Sequence, residues 1–223
     1  MCIRDRPTPT PIPSNYAQYL CQNGYFGNNI CIFQQLNYVS SSPPSQYSSD
    51  YYYFKNNTNY PICIGGVQGV EPIVSDFPSC SGQYSCSNPN FSPSFFPIGC
   101  IPPGYYSSVG YSLVNTVSEF YLIYQGYIYA GFPTVSYRGR LLNIPSPQGL
   151  QQGYIVNQTG RTIFIQVTNY TLNNIWSIAI ANGVSVPYMF DENTLITACY
   201  YETSQCQQFK ANPNLVITQI TSS

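Results

Sequence analysis

Histidine is absent from the 223 residues, and charge nearly so: Asp, Glu, Lys and Arg make up 7% of the chain, against about 25% in ordinary soluble domains. Without histidine there is no Ser-His-Asp or Cys-His nucleophile and no histidine-ligated metal. No P-loop or dinucleotide fingerprint occurs, since Gly65, Gly66 and Gly69 match neither spacing. Facing carboxylates for glycoside hydrolysis are missing as well. Asp191-Glu192 is the one adjacent acidic pair outside the first six residues, and its surroundings read as a solvated turn. The formal net charge of −1 lacks the basic footprint that nucleic acid or an anionic membrane requires. Low charge can also mark a membrane protein, yet no run approaches the roughly 20 apolar residues of a spanning helix. The best stretch, Phe120 to Phe132, is broken by Gln125 and Gly126. The expectation is a protein that is not an enzyme, with no catalytic residues, no metal and no cofactor.

What stands in place of charge is uncharged polarity. Asn, Gln, Ser and Thr together form a third of the chain, and tyrosine adds 23 residues. Leu, Ile, Val and Phe still supply a quarter, enough for a core and too many for disorder. Ile and Val number 34 against 10 Leu, a β-branched bias that favours strands. Tyr51-Tyr52-Tyr53, Tyr105-Tyr106 and Tyr200-Tyr201 would place rings on both faces of any strand they occupy. They read equally as half-buried strand positions and as contact surface.

Cysteine is plentiful, at nine. Cys2 lies in Met1–Arg6, a hexapeptide that resembles a translated sequencing adapter more than a native start or a signal peptide. The other eight have no C-x-x-C spacing and no histidine partner, so disulfides account for them better than zinc. Loop closure favours near neighbours, which suggests Cys21–Cys31, Cys80–Cys86 and Cys199–Cys206, with Cys63–Cys100 bracketing the second. Such bridges imply an oxidising compartment, hence an extracellular or cell-surface location. Asn-x-Ser/Thr sequons at Asn56, Asn90, Asn157 and Asn169 point the same way, because glycan would hydrate a surface short of charge. Asn157 and Asn169, near turns or strand ends, are the first expected to carry it. Strand parity makes that conditional for Asn169: the strand must end or bulge near Thr168.

Residues 1–13 read as the hexapeptide plus a Pro-rich extension, PTPTPIP, in polyproline II form. Thr8 and Thr10 there resemble O-glycosylated stalk positions. Residues 14–104 read as a Cys-rich, loop-rich β region held by bridges more than by a core. It has a short helix at Asn15–Gln22 and loops over Ser40–Ser49 and Ser87–Pro103, with short strands at Ile30–Phe33 and Pro61–Ile64. Residues 105–223 read as a β-sandwich. Glu119–Tyr124 and Tyr127–Phe132 flank Gln125-Gly126 as a hairpin, and Gly153–Gln158 and Arg161–Thr168 flank Thr159-Gly160. The strongest local signal is Asn182-Gly183 between Trp176–Ala181 and Val184–Met189, a type I′ pattern that would oppose Ile178 to Pro187. Pro187 would put its strand at a sheet edge or end it at Pro187. Trp176 shares parity with Ile178 and Ile180, which predicts a core position. Further strands fit Leu195–Tyr201 and Leu215–Thr221. The predicted class is all-β, a disulfide-rich sandwich of immunoglobulin-like or jelly-roll-like type.

In composition the chain is similar to glycosylated surface filament and pilus-like subunits, with no motif-level match. That resemblance implies a secreted structural protein that assembles with copies of itself and carries covalent glycans. The alternative is a carbohydrate-binding or adhesive module built on tyrosine. Open strand edges with few charged gatekeepers make strand addition between copies cheap. The candidate donor is the last strand, with Leu215, Ile217 and Ile220 as contact residues; the competing expectation is that it closes its own sheet.

Overall fold

The computed structural model describes residues 38–69, 71–73 and 95–221. The expected bridges Cys21–Cys31 and Cys80–Cys86, the Asn90 sequon, Thr8 and Thr10, the helix at 15–22 and the strand at 30–33 lie outside them. The fold is all-β, as the β-branched bias predicts. A short strand β1 (Tyr38–Ser40) precedes two sets of seven strands. The first set is β2 (Tyr51–Asn56), β3 (Ile62–Gln68), β4 (Phe95–Ile101), β5 (Tyr106–Gly110), β6 (Val117–Tyr124), β7 (Tyr127–Pro133) and β8 (Leu141–Ile144). One turn of helix, Tyr111–Val114, joins β5 to β6. The second set is β9 (Gln151–Asn157), β10 (Ile163–Asn169), β11 (Asn174–Ile180), β12 (Ser185–Phe190), β13 (Thr194–Tyr200), β14 (Cys206–Lys210) and β15 (Asn214–Ile217).

The two sets have the same topology. In the first, β2 lies between antiparallel β5 and parallel β8, while β3 lies between β4 and β6, and β6 pairs β7. In the second, β9 lies between antiparallel β12 and parallel β15, while β10 lies between β11 and β13, and β13 pairs β14. Each set is a sandwich, and the chain divides near 145–150. A boundary at 105 would fall between β4 and β5, inside the first sandwich.

The sandwiches share a layer. Pairing of β12 with β7 at Tyr188 and Ile128 fuses half of each into one seven-stranded sheet, ordered β15-β9-β12-β7-β6-β3-β4. Four-stranded sheets, β1-β5-β2-β8 and β11-β10-β13-β14, flank it. From β4 to β12 the middle layer is therefore buried on both faces, while β9 and β15 leave one face, with Gln152, Tyr154 and Val216, exposed. Strand alternation sorts its residues. Ile62, Ile64, Phe120 and Leu122 face one core together with Tyr52 and Phe54. Cys63, Val67, Tyr121 and Ile123 face the other core with Trp176, Ile165 and Ile196. The region before 105 thus contributes a full share of core and does not rest on its bridges alone. Part of the expected loop at Ser87–Pro103 is strand β4.

Three local expectations sort by turn chemistry. Gln125 and Gly126 both have positive φ, 52° and 88°, as a type I′ turn requires, and β6 and β7 form the expected hairpin. At Asn182-Gly183 only the glycine is left-handed, with φ 84°. Val184 N–H donates to Ala181 O at 3.2 Å, so the turn is type II, which does not match hairpin twist. The chain leaves the β10–β11 sheet there and enters the middle one. Ile178 opposes Ile165, and Pro187 opposes Tyr154. Pro187 is consequently inside a sheet, not on an edge. Tyr154 N–H donates away from it to Pro213 O at 3.0 Å, so the Tyr154–Pro187 pair exchanges no ladder bonds. The missing proline donor faces β7, where the ladder is a single residue pair. Thr159-Gly160 is likewise a crossing between sheets and not a hairpin.

Candidate functional site

The crossing from β9 to β10 explains the sequons. Asn157 is fully buried. Its Nδ2 donates to Arg161 O at 2.7 Å and Ile180 O at 3.1 Å, and its Oδ1 accepts from Thr159 N–H at 3.0 Å and Thr159 Oγ1 at 2.8 Å. Asn56 repeats this arrangement at the β2 to β3 crossing. Nδ2 donates to Tyr60 O at 2.7 Å and Ile101 O at 2.9 Å, and Oδ1 accepts from Thr58 N–H at 3.0 Å and Thr58 Oγ1 at 2.7 Å. The threonine of each sequon is thus a structural acceptor-donor that closes the crossing. Asn169 is also buried, because β10 keeps its register up to Asn169, its last residue; its Nδ2 donates to Asp191 Oδ1 and Thr194 Oγ1. Glycosylation at Asn56, Asn157 and Asn169 is therefore corrected: a glycan on any of these nitrogens would replace a buried donor with bulk the core has no room for.

The cysteine expectations fare differently. Cys63–Cys100 and Cys199–Cys206 are disulfides, each joining directly opposed residues of neighbouring strands. Leu215, Ile217 and Ile220 lie in the core of their own chain, and β15 runs parallel to β9. That strand closes its own sheet. Asp191 sits in a turn, as expected. Burial pushes its carboxyl up, but bonds from Thr171, Thr194, Asn193 N–H and Asn169 more than offset this and leave it below the usual range.

The chemically distinctive place is the seam between the sandwiches. The β11 strand crosses the outer face of β6 and β7. Asn174 pairs with the Gly131 backbone like a strand residue, donating from Nδ2 to its carbonyl at 2.9 Å and accepting its N–H at Oδ1 at 3.1 Å. Gly131 permits this approach: a Cβ there would lie 2.5 Å from Trp176 Cβ and 2.6 Å from Glu119 Oε1. Trp176 stands edge-on to Tyr121 with ring centroids 5.8 Å apart. Tyr121 Oη donates to Ser177 O at 2.6 Å, and burial holds this phenol well above its ordinary range.

Glu119 lies against the same strand. Its carboxyl accepts Ser177 N–H at 3.3 Å and Ser177 Oγ–H at 3.4 Å. Burial pushes its pKa from 4.5 up to about 7, with the Ser177 bonds opposing the shift. Beside it is a cleft of about 180 Å³ lined by Val67, Glu71, Ser118, Phe164 and Ala179 among others. Sequence reasoning missed Glu119 because no charge pattern surrounds it. No group of acids, cysteines or histidines could hold a metal ion among the described residues, and no helix there is long and apolar enough to cross a membrane.

Two surface features complete the site inventory. Tyr51 and Tyr47 are exposed beside a second cleft, of about 230 Å³, lined by Pro44, Ser45, Gln46, Tyr51, Tyr53 and Ser108. Tyr52 and Tyr53 of the same triplet are buried, so the tyrosine runs serve both core and surface. The second feature is β14, the last strand of its sheet, with alternate residues exposed. Comparison of the chain with protein-family models, with curated proteins and with solved structures finds no match to any of them.

Proposed function

We propose that this chain is a structural subunit of an extracellular fibre or surface coat, built to stack. The observation that carries the reading is the shared middle layer: two sandwiches of one topology are joined by completing a sheet, not by a linker. A unit that joins its own duplicate through a sheet has the geometry to go on joining. The two disulfides among the described residues suit an oxidising compartment, which supports extracellular placement. Negative-stain imaging of the purified chain tests the function, with fibres or sheets of regular repeat expected. Discrete particles at every concentration and pH would overturn it.

A second reading rests on the cleft beside Tyr47 and Tyr51. Exposed aromatic rings flanking polar Ser and Gln side chains suit the faces and hydroxyls of a sugar ring, which would make the chain a carbohydrate-binding module. A glycan array decides it: binding lost in Tyr51→Ala would support it, and an array with no signal would remove it.

A further inference from the structure

The three-layered stack contains its middle layer twice over, once assembled and once divided between its outer layers. The middle sheet is the quartet β4-β3-β6-β7 joined to the trio β12-β9-β15. One outer sheet, β11-β10-β13-β14, is the second sandwich's version of that quartet, with β14 in the place of β7. The other, β5-β2-β8, is the first sandwich's version of that trio, with β5 in the place of β12. In the quartet the edge that β7 gives to β12 has, on β14, no strand beside it among the described residues. In the trio the edge that β12 gives to β7 is occupied on β5 by the three residues of β1.

The backbone of β14 is phased for pairing. Tyr200 N–H donates to Gln205 O at 2.9 Å, and the neighbouring Cys199–Cys206 pair has a Cα separation of 4.0 Å, the close spacing of a pair without mutual ladder bonds. By alternation, the N–H and C=O groups of Cys206 and Gln208 point away from β13. The outward face of this sheet also carries exposed apolar side chains, Phe164 and Ile175. On the equivalent face of the middle sheet, Cys63, Tyr121 and Ile123 are fully buried by the second sandwich.

The geometry points to head-to-tail assembly in which β14 of one copy pairs beside β5 of a second copy, taking the place β1 holds in the isolated chain, so that two outer sheets become one seven-stranded sheet. This rests on the stacking function above and names its contact. The junction between copies is not a replica of the internal seam. Leu195, Thr197 and Gln208 occupy the register positions of Glu119, Tyr121 and Gly131, so the buried carboxyl and the Trp176 contact belong to the internal seam alone. β1 acts as a removable cover, and its length of three residues makes displacement inexpensive compared with a full strand.

The test uses the full chain and three variants, read by sedimentation and negative stain. Gln208→Pro removes an outward donor without breaking a bond to β13; it should raise the critical concentration about tenfold or more. Ile175→Lys, at an exposed position where folding is not at risk, should do the same. Ser40→Pro, which removes the N–H that faces Tyr106 across the β1–β5 ladder, should lower the critical concentration. Fibres of the unmodified chain that form equally well in Gln208→Pro or Ile175→Lys overturn the β14 contact while leaving self-assembly standing. If Gln208→Pro fails to fold by circular dichroism, Ile175→Lys decides alone. Discrete particles from both the unmodified chain and Ser40→Pro overturn the contact and the stacking function together.

Discussion

Glu119 offers a quantitative handle on the seam. Its folded pKa of about 7 lies above the ordinary 4.5, so the folded state holds a proton that the unfolded state releases between those values. Linkage then fixes the sign: stability is fully present below pH 4.5 and falls as pH rises toward 7. At about 1.4 kcal/mol per unit of pKa difference, the loss between those limits is about 3 kcal/mol. Glu119→Gln removes the ionisation and retains an oxygen to accept Ser177 N–H. The variant should therefore exceed the wild type by only about 1 kcal/mol at pH 5 and by about 3 kcal/mol at pH 8, the latter about 6–12 °C in Tm for a chain of this size. Urea unfolding from pH 5 to pH 8 measures this. The range stays above the region where protonation of Asp191, whose carboxyl is held below its usual value, would itself remove stability. A difference between wild type and variant that does not change with pH would refute the reasoning, since a purely steric effect of the substitution has no pH dependence.

Asn157→Ala strips four hydrogen bonds from a buried crossing, taking one donor from Ile180 O and leaving Arg161 O to Thr159 Oγ1; a loss of about 3–5 kcal/mol in denaturant unfolding is expected. Gly131→Ala forces apart Trp176 and Glu119 and should cost about 1–3 kcal/mol as overpacking, with near-ultraviolet circular dichroism reporting the altered indole environment. Peptide mapping of chain secreted from a glycosylating host should find Asn56, Asn157 and Asn169 unmodified in the folded fraction. Mapping without reduction should recover the Cys63–Cys100 and Cys199–Cys206 pairs.

Legibility in the sequence followed the range of the forces involved. The β6–β7 hairpin, the core position of Trp176 and the two described disulfides depend on near neighbours and strand parity, and all were readable. The Asn182-Gly183 dipeptide was readable as a turn but not as a crossing, because its partners β9, β10 and β7 lie elsewhere in the chain. The duplication was the largest loss. Its trace is the pattern N-x-T-x-x-x-I-x-I at Asn56–Ile64 and again at Asn157–Ile165. Read as a sequon, Asn-x-Thr suggests a surface; read with the isoleucines that follow, it marks a buried entry to a strand. Parity placed Asn169 on the inner face only on condition that the strand continued past Thr168, and its burial decides between the two meanings. Glu119 could not be found from sequence, since the strand that bonds its carboxyl, through Ser177, lies more than fifty residues away.

In each sandwich the first strand and the last run side by side in the same direction, β2 with β8 and β9 with β15, over four residue pairs each. Tension drawn between the start of one and the end of the other loads that ladder lengthwise. Its hydrogen bonds must then fail together, unlike those of a hairpin, which open one at a time from the end. The covalent ties at Cys63–Cys100 and Cys199–Cys206 lie in the opposite sheet of each sandwich, outside this ladder. Under a pulling load applied this way the backbone ladder yields first, at a rate set by the unfolding barrier and not by equilibrium stability.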